Sequence, residues 1–360
     1  MTVHVSLLQC AQGQQIGCLA LSAPERINAQ NLAMVRQMDA ALAQWRDDEQ
    51  IVAVVLLGAG ERGFCAGGDL KALYLAMSKP EQLCQGDAFF SEEYRLCQTI
   101  REYPKPVLAW GHGIVMGGGW GLFAAASHRI VTESSRLAMP ETGIGLFPDV
   151  AASWWLPKLA GAGRFLALTG AAINARDAMA LGAADWLLPD SQRHATLMAM
   201  AQLAWSGQSD TDAALLSEFL DAQPLPAHIP AAKLTAEPQY YQQLNALTLP
   251  QALAYLATLA HSSDTYLQHA AQRVLKASPT SLYLSWALQQ LCAPKTLAQT
   301  VQIETSIAAS ALRYGDFQAG IYSTLIDRQL APRWRYRTPA ELDLAEIATY
   351  FPALQLGIED

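Results

Sequence analysis

Through residue 200 the chain alternates short apolar runs with longer segments of helical period, and this alternation constrains the fold more than any other feature. "IGCLALSA" (16–23), "IVAVVLLG" (51–58), "KPVLAWGHG" (105–113) and "HRIVTE" (128–133) are rich in Val, Ile and Leu. Gly, Pro and charged residues bound them, so they predict strands. Between the first two, Met34, Val35, Met38, Leu42 and Trp45 recur at helical spacing. "FFSEEYRLCQTIREY" (89–103) predicts a second helix, and "GGGWGLFAAAS" opens a third. Strands alternating with helices imply a layered α/β core.

From about residue 191 the texture changes to successive helical segments, such as "TDAALLSEFLDA" and "PTSLYLSWALQQL", separated by Pro- and Ser-containing breaks. "AQPLPAHIPAAK" (222–233) reads as a linker. The expected organisation is an α/β core over 1–205 followed by an α-helical region over 206–360.

Charge and cysteine usage narrow the function classes. With 24 basic and 32 acidic residues the net charge is −8, and no run of Lys or Arg offers a nucleic-acid groove or an anionic membrane footprint. The apolar windows are too short to span a bilayer. Six scattered cysteines without a C-x-x-C pair suit reduced thiols. The N-terminal stretch carries neither a signal-peptide nor a transit-peptide pattern, so the expectation is a soluble cytoplasmic protein. The seven histidines show no metal-ligand spacing, and there is no P-loop or G-x-S-x-G elbow.

Four stretches remain as candidates for chemistry. "GAGERG" (58–63) matches G-x-G-x-x-G after an apolar run. A dinucleotide turn needs its third glycine to open a helix and an acid on a second strand about twenty residues later. Gly63 leads instead into "FCAGGD" and "LKALYLAM", so that reading fails. "HGIVMGGGWGL" (112–122) places glycines at a strand-to-helix junction. Such a junction can present backbone N–H groups to a developing oxyanion, or simply pack the helix tightly. In "MPETGIGLFPDV" (139–150) Glu141 and Asp149 each follow a proline. They are candidate catalytic acids, with a first-turn acid and a helix N-cap as the structural alternatives. Finally, Phe89, Leu96, Cys97 and Ile100 form an apolar helical stripe with Glu93 at its centre. A carboxylate there needs a partner or a functional site.

Together, "SAPERINAQNLAMV", "GAGERGFCAGGDLKALY", "FFSEEYRL", "KPVLAWGHGIVMGGGWGL" and "RLAMPETGIGLFPDV" resemble the enoyl-CoA hydratase/isomerase (crotonase) superfamily. Within it they resemble a branch that hydrolyses short 3-hydroxyacyl-CoA thioesters. The resemblance implies a crotonase-like spiral of ββα turns and an acyl-CoA substrate, with no metal or redox cofactor beyond the CoA of the substrate itself. It implies an oxyanion hole from the N–H groups of Ala66 and Gly118, and catalytic Glu141 and Asp149. It also implies substrate contacts from Glu93, Ala66, Gly67, Asp69 and Gly118. Hydratases of the superfamily carry a second glutamate three residues after the oxyanion-hole glycine; here that position is Gly121, which favours hydrolysis. After Asp149 the branch continues with glycines, whereas this chain reads "AAS" (151–153). The helical C-terminal region suggests a monomer or small homo-oligomer. The alternatives are a hydratase or isomerase acting on another acyl-CoA, and a non-catalytic acyl-CoA-binding protein.

Overall fold

The computed structural model describes residues 1–357. Among the described residues there are ten strands: β1 (Thr2–Gln9), β2 (Gln15–Ser22), β3 (Ile51–Gly58), β4 (Gly63–Cys65), β5 (Val107–Gly111), β6 (Ile114–Met116), β7 (His128–Val131), β8 (Arg136–Ala138), β9 (Ile173–Asn174) and β10 (Trp186–Leu187). They form a six-stranded sheet in the order β1-β2-β3-β5-β7-β10 and a four-stranded sheet in the order β4-β6-β8-β9. β2 through β10 of the larger sheet pair in parallel, and β1 pairs antiparallel to β2 as its edge. The four apolar runs expected as strands are β2, β3, β5 and β7. β3 is buried along almost its whole length, as befits a parallel strand covered on both faces.

The chain divides into two compact units whose segments interleave along the sequence. The first comprises Met1–Gly68, Arg95–Leu137 and Ile173–Ala232. Its core runs from Ile16, Val52 and Val55 through Leu108 and Trp110 to Met200, Trp205 and Leu216. The helix Leu32–Trp45 buries Met34, Val35, Met38, Leu42 and Trp45, the stripe its period predicts. Glycine is a packing requirement around β4, both against β3 and against its own sheet neighbour β6. A Cβ on Gly58 would lie 2.4 Å from the Phe64 carbonyl oxygen, and one on Gly63 would lie 2.4 Å from the Ile114 nitrogen. Two members of the apparent dinucleotide fingerprint thus serve close backbone packing, and Gly63 begins a strand rather than a helix.

The second unit comprises Asp69–Tyr94, Ala138–Ala172 and the chain from Lys233 onward. It holds the helix Leu70–Met77, the 3-10 turn Glu141–Ile144, the short helix Ala152–Trp155 and the longer helices Thr265–Lys276, Pro279–Cys292 and Leu297–Ala311. The helix expected over 89–103 runs from Leu83 to Arg101 and passes from this unit into the first. The segment 316–320 packs against the turn that carries Glu141. A Cβ on Gly145 would meet the Asp316 backbone at 2.4 Å, and one on Gly320 the Ile144 carbonyl oxygen at 2.1 Å. Among the described residues no helix is long and apolar enough to cross a membrane.

Candidate active site

In the first unit, β4 and β6 each run into a glycine-rich turn. Gly67 adopts φ +100°, and a Cβ there would sit 3.1 Å from the Met116 carbonyl oxygen and 3.4 Å from the Gly118 nitrogen. Only glycine allows so close an approach at that φ, so the two turns lie against each other. The backbone donors of the first turn are not equally available, which corrects the donor expected at Ala66. The Ala66 N–H donates to the Ile27 carbonyl at 2.9 Å, and the Gly67 N–H faces Cys65 Sγ at 3.4 Å. The Gly68 N–H has no acceptor among the described residues. In the second turn Gly118 is the first residue of the helix Gly118–Ala125, and its N–H likewise lacks an acceptor among the described residues.

Asn28 fixes this arrangement from below. It is fully buried at φ 56°, and its Nδ2 donates to the carbonyls of Ala59 (2.9 Å), Gly63 (3.0 Å) and Phe64 (3.2 Å). Its Oδ1 accepts from Ala23 N at 3.0 Å. One side chain therefore ties the backbone just after β2 to the turn before β4 and to β4 itself.

The second unit gathers the acids. Glu93 is 2% exposed, Glu141 5% and Asp149 4%. Glu93 lies on the buried stripe of its helix, as the periodicity predicts, and Tyr94 beside it is fully buried. The Tyr94 hydroxyl donates to Asp149 Oδ2 at 2.7 Å. Asp149 is not the helix N-cap that its position before "VAASWWL" permits, because that cap is Ala151. Glu141 opens the 3-10 turn after Pro140, and its Oε2 is buried with no hydrogen-bond partner.

Burial pushes all three carboxyls toward their protonated forms. Desolvation raises Glu93 and Glu141 well above the usual carboxylate range, and the Asp149 charge adds to both. Asp149 is pushed by burial only to about 6, because the Tyr94 hydroxyl stabilises its ionised form. Three carboxyls buried within reach of one another's charge cannot all ionise at neutral pH, so the cluster separates into a carboxylate and proton-holding acids. Such an arrangement can accept a proton from water and return one to a leaving group.

The remaining expected residues take clear places. Asp69 caps the helix Leu70–Met77, its Oδ1 accepting from Lys71 N and Ala72 N at 3.1 and 3.3 Å. Buried His112 and His128 bond the Gly60 and Ala213 carbonyls, and burial lowers the pKa of both. All six cysteines are free thiols. Among the described residues no group of three His, Cys, Asp or Glu side chains is placed to hold a metal ion.

One acid escaped the sequence reasoning. Glu304, fully buried on the helix Leu297–Ala311, accepts from Ala151 N at 2.6 Å and Ser153 N at 3.0 Å. Burial pushes it to about 8 against the opposing pull of these donors. It lies on the same face as Thr300, Val301, Ile307 and Ala308, so the criterion that singled out Glu93 would also have found it.

Comparison with known proteins fits this geometry. Residues 16–351 match the family model described as enoyl-CoA hydratase/isomerase. The chain is 33% identical over 348 residues to the mitochondrial 3-hydroxyisobutyryl-CoA hydrolase of Danio rerio, covering 94% of this chain and 89% of that one. It is 31% identical over 342 residues to the mitochondrial 3-hydroxyisobutyryl-CoA hydrolase of Homo sapiens, covering 94% and 86%. Crystal structures of an enoyl-CoA hydratase from Rhodobacter sphaeroides 2.4.1 and a carnitinyl-CoA dehydratase from Mycobacterium thermoresistibile superpose with TM-scores of 0.81 and 0.82. They are 30% and 31% identical, and 96% of each chain is covered. The fold is thus the α/β crotonase-like one, repeated βα units followed by a helical C-terminal region. The cytoplasmic expectation is overturned, since these hydrolase relatives are mitochondrial proteins. Reduced thiols suit a mitochondrial matrix as well as a cytosol, so the cysteine argument could not separate the two. The chain belongs to the enoyl-CoA hydratase/isomerase family and is a CoA-thioester-processing enzyme of the crotonase superfamily.

Proposed function

We propose that the enzyme hydrolyses a short-chain 3-hydroxyacyl-CoA thioester, with 3-hydroxyisobutyryl-CoA as its substrate and 3-hydroxyisobutyrate and CoA as its products. The observation that carries this reading is Glu141. It is a buried carboxyl with one oxygen free of partners, raised in pKa and electrostatically tied to Asp149 and Glu93. A free, desolvated carboxyl oxygen is what a general base or a carboxylate nucleophile requires. The position that would carry a hydratase's second glutamate is Gly121, buried within the helix Gly118–Ala125. The names of the curated relatives add support.

In this mechanism the N–H groups of Gly68 and Gly118 take up the negative charge that develops on the thioester oxygen. Gly68 replaces Ala66 in the role because the Ala66 N–H is already spent on Ile27. With Glu141 as base, it removes a proton from water, the hydroxide adds to the carbonyl carbon, and the C–S bond breaks. The proton then passes to the departing thiolate. With Glu141 as nucleophile, the same bond breaks through an anhydride that water opens. Asp149 and Glu93 orient the 3-hydroxyl group or the attacking water.

Hydration of a double bond is the second reading, favoured by the names of the two superposing crystal structures. Free-thiol release from 3-hydroxyisobutyryl-CoA, run beside hydration of crotonyl-CoA, separates the two. Hydrolysis predicts thiol release and little hydration. Turnover of crotonyl-CoA alone would sink it.

A further inference from the structure

Immediately after Asp149 the backbone enters the left-handed region twice in succession, at Val150 (φ 53°) and Ala151 (φ 62°). Neither is glycine, and Val150 is β-branched, the residue class that tolerates this conformation least. Both are buried, at 1% and 3% exposure. Strained backbone persists only where its surroundings over-determine it.

The element that over-determines it is Glu304. Its two carboxylate oxygens are divided between the Ala151 N–H at 2.6 Å and the Ser153 N–H at 3.0 Å, the first donors of the short helix Ala152–Trp155. Both oxygens are therefore occupied and the side chain is fully buried, so Glu304 does not meet substrate. The turn is coupled directly to Asp149, whose carbonyl accepts from Ala152 N at 2.8 Å. On its other side Asp149 is held by Tyr94. The carboxylate is thus suspended between a hydroxyl that fixes one oxygen and a turn that fixes its backbone.

We propose that Glu304 is a positioning residue: by clamping the Val150–Ala151 turn it fixes the direction in which Asp149 presents its carboxylate. This inference rests on the proposed participation of Asp149 in thioester hydrolysis.

The test is steady-state thiol release from 3-hydroxyisobutyryl-CoA by Glu304→Gln, Glu304→Asp, the double variant Glu304→Gln/Ala151→Gly, and Asp149→Asn. Misplacing a catalytic group by about an ångström costs up to about a hundredfold, so Glu304→Gln should lower kcat by roughly 10- to 100-fold with KM nearly unchanged. Glycine at 151 adopts the left-handed conformation without strain, so the double variant should recover at least about fivefold of that loss. Glu304→Asp keeps the carboxyl group but shortens the reach; if Glu304→Gln does not fold, the kcat of Glu304→Asp carries the same expectation. A wild-type kcat in both Glu304 variants overturns the inference. So does a loss that the glycine does not repair, since a purely structural defect would not be mended at that one position. Asp149→Asn separates the two levels: full activity there refutes the catalytic reading itself. An inactive Asp149→Asn with unimpaired Glu304 variants refutes only the role of Glu304.

Discussion

Tyr94 donates its hydroxyl to Asp149 Oδ2 at 2.7 Å, with both groups sealed from solvent. This bond sets Asp149 apart from its neighbours. The same burial that drives Glu93 and Glu141 well above the carboxylate range leaves Asp149 at about 6. Within the cluster the negative charge is therefore most easily held on Asp149, the carboxyl whose ionised form is hydrogen-bonded.

Tyr94→Phe removes the stabilising hydrogen bond while keeping the ring. A hydrogen bond to the ionised form lowers a pKa, so its loss raises that of Asp149, against the neighbouring Glu93, Glu141 and Glu304 carboxyls. The acid limb of the kcat/KM profile for thiol release should move up by about one pH unit. An unmoved acid limb would mean that Asp149 does not govern it.

Stability should fall as pH rises through the mildly acidic and neutral range. Burial places the folded-state pKa of Asp149 at about 6 and that of Glu304 at about 8, above the ordinary values of 3.8 and 4.5. For acids raised in the folded state, the favourable contribution is complete below the unfolded pKa and is lost as pH climbs through the folded one. Between about pH 4 and 8 the cluster should cost on the order of 3 kcal/mol from Asp149 alone. Melting curves at stepped pH check this, and Asp149→Asn should flatten the slope and melt higher than wild type at pH 8. A wild-type melting temperature rising across that window would contradict the assignment.

Asn28→Ala should destabilise the first unit. It strips partners from Ala23 N and from the Ala59, Gly63 and Phe64 carbonyls, all facing a buried side chain, at a cost of about 2–4 kcal/mol. Chemical denaturation measures it. The same variant should also slow thiol release, because the turn it anchors leads to the Gly68 donor. A neutral effect on both would show that the turn holds itself.

The long, periodic elements were legible in the sequence. β3 and the helix Leu32–Trp45 carry patterns strong enough to fix their type, and Glu93 stood out because a charge on an apolar stripe breaks the pattern. β4, β6, β8, β9 and β10 are two or three residues long, too short for any period to register. β1 is an edge strand that buries only Val3 fully, so its alternation is faint. The motif "FCAGGD" pointed to the right turn but not to the right N–H, because donor availability depends on Ile27, nearly forty residues earlier in the chain. Glu304 lies farther still in sequence from the turn it holds. Its stripe was visible, but nothing local named Ala151 and Ser153 as its partners.

The central claim is thioester hydrolysis with Glu141 as the reacting carboxyl. The most direct measurement is the rate of free-thiol release from 3-hydroxyisobutyryl-CoA by wild type and Glu141→Gln, with binding of the ester measured on both. The account predicts release by wild type, a fall of about 10²- to 10⁴-fold in the variant, and retained binding. Equal rates in the two proteins, or hydration of crotonyl-CoA with no thiol release from either ester, would contradict it.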